Sequence, residues 1–455
     1  MRAPISARPR IDETADFIDG GLMNIPLSPA VKGPLGWTRP QLLLLMMIML
    51  VNIIEGIDNQ LLALVLPAIA AEWQITPAHF APAVASGFTG AAVATPIGGW
   101  LGDRIGRKPV VIAGLGVFAC MTIGMGYCRS VADFTVLRTI AGLGLGLCLP
   151  PVLALAVESV RPDQRGLAVG LTMFSLPLGL TLSGIVAPLL SGTGGWRWMF
   201  QLSGLAALLI AILAVAMLRE SPAFLLRCSG RGEAALRWAA ALGIEVEMAP
   251  TPRKRNVSEL ARTLKQQAGP LTILVLMIFL IYLVMSIVLN WMPSFLSQRG
   301  FSLARAGAAV SSWSFAGLAG TLLAGWIANR LGSVRALHVM HLALCAFLAA
   351  GSAISFWREP DVRTPLLLLC LVVGLVGMQV SGCITAIYAF ASDRIAGAVR
   401  STGVGLISLS GKIGAILGSA AGFLVLGVDS AAGLFIVLLA LAALALVLAV
   451  MVRQN

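Results

Sequence analysis

Gly99-Trp100-Leu101-Gly102-Asp103-Arg104-Ile105-Gly106-Arg107-Lys108-Pro109 is a short, basic, glycine-rich segment, and a worn copy of it returns as Gly325-Trp326-Ile327-Ala328-Asn329-Arg330-Leu331-Gly332-Ser333-Val334-Arg335. Each copy sits between two long apolar runs, and the copies lie about half a chain apart. Arg165 with Gly170, and Arg400 with Gly405, repeat the correspondence after equivalent apolar segments. Two related halves that carry the same basic hairpin point to a membrane protein built from parallel repeats, with the substrate path between them.

Composition agrees. Of 455 residues, 58% are hydrophobic and 11% charged, too few polar residues to cover a soluble multidomain protein. A net charge of +12 invites a nucleic-acid reading, but the cations lie in short loops between runs of bilayer-spanning length, so no nucleic acid is expected. The seven cysteines show no paired spacing and read as small buried hydrophobes. His338 and His341 make a weak metal pair. No cofactor or metal is expected.

The pattern predicts an all-α membrane protein of twelve spans, at about 41–63, 80–101, 109–128, 132–157, 166–189, 199–218, 271–296, 303–328, 336–357, 364–390, 400–425 and 430–452. Only helices satisfy the backbone in lipid at these lengths. The expected organisation is a cytoplasmic tail over 1–40, a six-helix bundle over 41–218, a cytoplasmic loop over 219–270, a second six-helix bundle over 271–452 and a short tail over 453–455. With both termini inside, 24 of the 32 Lys and Arg residues fall on the cytoplasmic side and six outside (Arg129, Arg197, Arg299, Arg305, Arg358 and Arg363). The positive-inside rule then favours a multi-pass protein of the bacterial cytoplasmic (inner) membrane. The central loop holds nine cations and five acids. It reads as a tether with a positive surface toward anionic lipid, and Glu233 to Leu242 is expected to form a short surface helix.

Charge inside the membrane is expensive and needs a role or a partner. Glu55 and Asp58 lie three apart in span 1, Arg138 and Glu158 near opposite ends of span 4, and Lys412 in span 11. The rise of a helix puts Asp58 and Arg138 at comparable depth and Lys412 near the midplane. One reading is a proton-coupled anion site, with Asp58 and Glu55 exchanging protons and Arg138 or Lys412 holding a substrate carboxylate. The other is a fixed Asp58–Arg138 ion pair between neighbouring helices. Gln379 and Tyr388 are deep polar groups suited to substrate contact, and Trp291 is either a ligand or an interfacial anchor. Asp103, Arg104, Arg107, Glu158, Arg165, Asn329, Arg330 and Arg400 form the expected gating network at the inner face.

Gly99 through Pro109 resembles the loop 2–3 signature of the major facilitator superfamily, and the resemblance extends over about 40–452. It implies two pseudo-symmetric six-helix halves, with Asp103 helping to lock them. Asn329 in the second copy implies a weaker lock. Within the superfamily, Glu55-Gly56-Ile57-Asp58 resembles an element of the aromatic acid:proton symporters, as do Arg138 with Gly142 to Gly146, Asn290 to Pro293, Arg400 to Gly405 and Gly411 to Gly414, and the segment Glu220 to Leu226 resembles both those symporters and sugar porters. Glu55 stands where Asp is usual, and Lys412 where Arg is common. The resemblance implies a transporter, not an enzyme, that takes up a small aromatic carboxylate with protons by alternating access, as a monomer in the lipid bilayer. A sugar or other neutral-solute porter, a proton-driven exporter and a non-transporting receptor are the alternatives. Span 5 lacks the adjacent Gly-Pro pair of many antiporters, and the chain has no phosphate-binding loop for an ATP-driven pump.

Overall fold

Runs of twenty or more apolar residues leave the backbone one way to satisfy its own polar groups in lipid, and twelve helices follow. The computed structural model describes residues 37–161, 164–227, 232–244, 265–357, 363–395, 400–421, 426–427 and 430–452. The helices are α1 (Arg39–Glu72), α2 (Ala81–Ile105), α3 (Arg107–Met125), α4 (Val131–Glu158), α5 (Leu167–Leu190) and α6 (Gly195–Met217), then α7 (Ala268–Gln298), α8 (Leu303–Leu331), α9 (Ser333–Trp357), α10 (Leu366–Arg394), α11 (Arg400–Ala420) and α12 (Ala431–Met451). All twelve are long and apolar enough to cross a membrane.

Local chemistry sets several ends. Thr38 and Gln41 form a reciprocal capping box at the start of α1, and Ser130, Ser302 and Ser430 cap α4, α8 and α12; each satisfies amides with no intrahelical partner. Gly106 and Gly332, at matching places in the two basic hairpins, take φ of 107° and 92°. An L side chain rarely adopts that conformation, so the turn between α2 and α3, and between α8 and α9, calls for glycine in both halves. Helices alternate in direction, so the basic hairpins and both ends of the described chain share one side of the molecule, its basic face.

The halves repeat their packing: α2 against α4 and α8 against α10, α1 against α5 and α7 against α11, α9 against α12. The sixth helix runs back along α3, from Arg197 beside Gly126 to Val215, whose carbonyl accepts from Lys108 Nζ at 2.8 Å. Between the halves, α5 meets α8, α2 meets α11 and α1 meets α7. Close approach needs bare backbone: a Cβ on Gly56 of α1 would stand 2.9 Å from the Gly179 Cα of α5. Overpacking typically costs about 1–3 kcal/mol, and more where only backbone can yield. Gly56→Val should therefore lower the thermal unfolding midpoint and the folded yield in detergent, whereas Gly116→Ala, with nothing within 4 Å of the new methyl, should leave both unchanged.

The short helix Gly232–Leu242 forms in the central loop and buries Ala235, Trp238, Ala239 and Leu242; Trp238 and Leu242 join one apolar cluster with Trp37, Leu44 and Leu218 of the first half. Arg219 stacks over the Trp238 ring at 4.6 Å. The six described cysteines are free, and Cys128, Cys148 and Cys383 are buried. His338 and His341 each bond a backbone carbonyl, of Ala449 at 2.9 Å and Leu337 at 2.7 Å.

Candidate functional site

A cavity of about 460 Å³ lies where the halves meet, within the range of about 300–1,000 Å³ common for small-molecule sites. The first half contributes Glu55, Asn59 and Gln60 from α1, Phe88, Ala91 and Ala92 from α2, and Met173, Leu176 and Pro177 from α5. The second contributes Tyr282, Ser286 and Asn290 from α7, Trp313, Ser314 and Thr321 from α8, Ser381 and Thr385 from α10, and Ser408 and Lys412 from α11. The wall is mainly apolar and aromatic, with hydroxyl and amide groups spread over it and, among the described residues, one group of each charge.

Away from the basic face the halves are joined. Gln60 Nε2 donates to the Leu289 carbonyl at 2.9 Å, and Ser311 Oγ to the Thr181 carbonyl at 2.8 Å. A Cβ on Gly184 of α5 would stand 3.1 Å from the Gly307 carbonyl carbon of α8. In the other direction the cavity wall includes Met173, Thr321 and Ser408, which lie within about three turns of the basic-face ends of their helices.

The two acids of α1 are separated. Glu55 faces the cavity and interacts electrostatically with Lys412, though no direct ion pair joins them. Asp58 is fully buried, points at α4 and pairs with Arg138. Three residues along a helix turn a side chain by about 60°, enough to send one acid to the cavity and the other to a neighbouring helix. Arg138 Nη2 also donates to the Asp58 carbonyl at 3.4 Å, while Asp58 Oδ1 and Arg138 Nε have no hydrogen-bond partner. The guanidinium reaches α1 past Gly87, where a Cβ would meet Arg138 Nε at 2.9 Å.

Of the expected substrate contacts, Lys412 alone lines the cavity, and its Nζ donates to Thr95 Oγ1 of α2 at 2.8 Å. Arg138 is committed to Asp58. Trp291 is wholly buried and its Nε1 donates to the Ser419 carbonyl at 3.0 Å, which ties α7 to α11. Gln379 is 3% exposed and Tyr388 half-buried, and neither belongs to the cavity wall.

At the basic face, Arg107 Nη2 bonds Glu158 at 3.0 Å and Asp103 at 3.1 Å. The Glu220 carboxylate accepts from the amides of Arg107 at 3.0 Å and Lys108 at 3.1 Å, where a negative group suits the unsatisfied amides and dipole of α3. Glu158 in turn accepts from Ser221 Oγ. These bonds, Asp103–Arg107 among them, stay within the first half, and they fasten α2, α3, α4 and the segment after α6 to one another. Arg104 stacks over Trp100 at 4.6 Å, and Arg165 is exposed. In the second copy Asn329 and Arg330 are exposed and a Cβ on Gly332 would meet nothing within 4 Å, so the matched turns carry unequal networks. The Arg400 side chain lies outside the described residues.

Sequence reasoning passed over Trp313, Phe88 and Thr95. Trp313 had a legible signal: an aromatic ring amid Ser311, Ser312 and Ser314 on one apolar span. Thr95 had none, since a hydroxyl one residue before Pro96 takes meaning only when Lys412 arrives from the other half.

A family model described as Major Facilitator Superfamily matches residues 48–418. Curated relatives include the gallate transporter of Pseudomonas putida, 27% identical over 94% of this chain and 97% of its own length. The 4-hydroxybenzoate transporter of Acinetobacter baylyi is 25% identical over 92% of each chain. The 3-(3-hydroxy-phenyl)propionate transporter of Escherichia coli is 26% identical over 81% of this chain and 83% of its own. Among solved structures, a partially occluded inward-open form of the Escherichia coli xylose transporter superposes with a TM-score of 0.69 at 17% identity, over 90% of this chain and 96% of that one.

Proposed function

The chain belongs to the Major Facilitator Superfamily, and from that premise we propose that this transporter takes up a small aromatic carboxylate together with protons, by alternating access. The observation that carries the reading is the inter-half cavity with one carboxyl, Glu55, and one amine, Lys412, on facing walls, among the rings of Phe88, Tyr282 and Trp313. An aromatic monocarboxylate asks for these features: apolar slots for the ring and one cation for the acid. Glu55 is the group that carries the proton, since a cavity-facing carboxyl can exchange with water whenever its side of the membrane is open.

In the cycle, Lys412 is the counter-charge for the substrate anion, and a protonated Glu55 leaves that amine free of competition. The aromatic acids named for three curated relatives support the substrate class, whereas the xylose transporter is a likeness of fold. The bonds Gln60–Leu289 and Ser311–Thr181 form the gate that must part when the site faces the other side. The excess of cations in the loops of the basic face orients that face to the cytoplasm of a bacterial inner membrane. The protein acts as a monomer.

The test is uptake into proteoliposomes under an imposed inward-directed proton gradient, acid outside, screening gallate, hydroxybenzoates and benzoate beside xylose. Accumulation of at least one aromatic acid, abolished by a protonophore, is the expected result. Transport of xylose with no aromatic acid carried, or aromatic uptake indifferent to the gradient, would overturn the substrate or the coupling respectively.

A further inference from the structure

Lys412 is held from across the seam between the halves. Its Nζ donates to Thr95 Oγ1 at 2.8 Å, and the Thr95 hydroxyl itself donates to the Ala91 carbonyl one turn back in α2 at 2.6 Å. A hydroxyl has one proton and two lone pairs. With its proton spent on Ala91, Thr95 can meet the amine only as an acceptor, and the ammonium provides the donor. Pro96 follows immediately inside α2, and its ring fixes its own backbone φ.

An ammonium has three N–H donors. One goes to Thr95, and two remain, with Glu55 within electrostatic reach. A lysine stem is long and flexible, and without a fixed acceptor on α2 its amine would swing toward the Glu55 carboxylate, the opposite charge on the cavity wall.

We propose that Thr95 is a positioning residue for substrate binding: its hydroxyl tethers the Lys412 ammonium to the wall of α2 and keeps two N–H donors aimed into the cavity for the substrate carboxylate. This rests on the reading that Lys412 is the counter-charge of the substrate. Thr95 touches no substrate itself. Because the tether joins α2 to α11, it also couples the anion site to a seam that must change when the halves rock.

The probe is labelled 4-hydroxybenzoate, taken up by the full-length protein in proteoliposomes. Thr95→Val keeps the shape and removes the acceptor, and it should raise KM about tenfold, the order of one hydrogen bond to a charged group, with Vmax within about twofold. Thr95→Ser keeps the acceptor and should restore KM. In a Lys412→Gln background, Thr95→Val should add nothing further. Should valine crowd Ala91 and lower the folded yield, Thr95→Ala gives the same readouts without the added bulk. An unchanged KM in Thr95→Val, a serine variant as impaired as the valine, or the same loss in both backgrounds would overturn the tether. An unchanged KM in Lys412→Gln alone would instead overturn the role of Lys412, and the proposed function with it.

Discussion

Glu55→Gln should abolish gradient-driven accumulation while leaving the protein folded and able to exchange substrate. The amide has the shape of the carboxyl and cannot take up or release a proton, so the variant separates coupling from binding. If one proton enters with each monoanion, each unit of imposed pH difference can sustain about a tenfold concentration ratio, since one pH unit is worth about 1.4 kcal/mol. Wild-type vesicles with a two-unit gradient should then accumulate substrate on the order of a hundredfold, and Glu55→Gln vesicles should stop at equal concentrations. Counterflow, in which labelled substrate exchanges for unlabelled across the membrane with no gradient, should survive in the variant. Glu55 is 8% exposed and already a neighbour of Asn59 and Gln60 on the same wall, so an amide there finds polar company. Accumulation at the wild-type level in Glu55→Gln would move the coupling proton elsewhere.

The scaffold was legible because it rests on long-range repetition and apolar run length, both properties of a linear sequence. The signature at Gly99–Pro109 and its copy fixed where two equivalent turns fall, and Gly106 and Gly332 adopt the same left-handed backbone there. Predicted spans differ from the helices mostly at their ends; α1 continues through Pro67, a poor helix residue in isolation, to Glu72, whose carboxylate accepts from Trp196 Nε1 at 2.7 Å. The site was half legible. Charged residues in apolar runs announce themselves, which is why Glu55, Asp58, Arg138 and Lys412 stand out. Which of them share a compartment depends on rotations of about 60° and on whose neighbour lacks a side chain, as Gly87 does for Arg138. The size of the turn follows from spacing, but the direction in which each helix face points, and the neighbour it meets, do not. Tryptophan was ambiguous for the same reason: Trp291 packs against α11 and Trp313 faces the cavity, though both lie in long apolar helices.

Asp58→Asn and Arg138→Met should each cost far more in folded protein than in any property of the cavity. The pair is buried on both sides, Asp58 at 0% and Arg138 at 5% exposure, and lies off the cavity wall. Removing one member strands the other charge in a low-dielectric surround, at about 3–5 kcal/mol in comparable buried pairs. Each single variant should therefore show a large fall in thermal midpoint and in monodisperse yield. The double variant Asp58→Leu with Arg138→Met removes both charges together, and replacing a buried pair by apolar groups of similar size is often neutral; the leucine also removes the unsatisfied Asp58 Oδ1 and the methionine the unsatisfied Arg138 Nε. Recovery of most of the lost midpoint in the double variant is the expected result, and a double variant as unstable as the sum of the singles would show that the two residues act independently. The same protein then decides between the acids of α1. If the recovered double variant still accumulates substrate against its gradient, Asp58 is a fixed counter-charge and coupling belongs to Glu55. If it folds, binds and exchanges but no longer accumulates, the buried pair must open during transport, and the proton rides on Asp58.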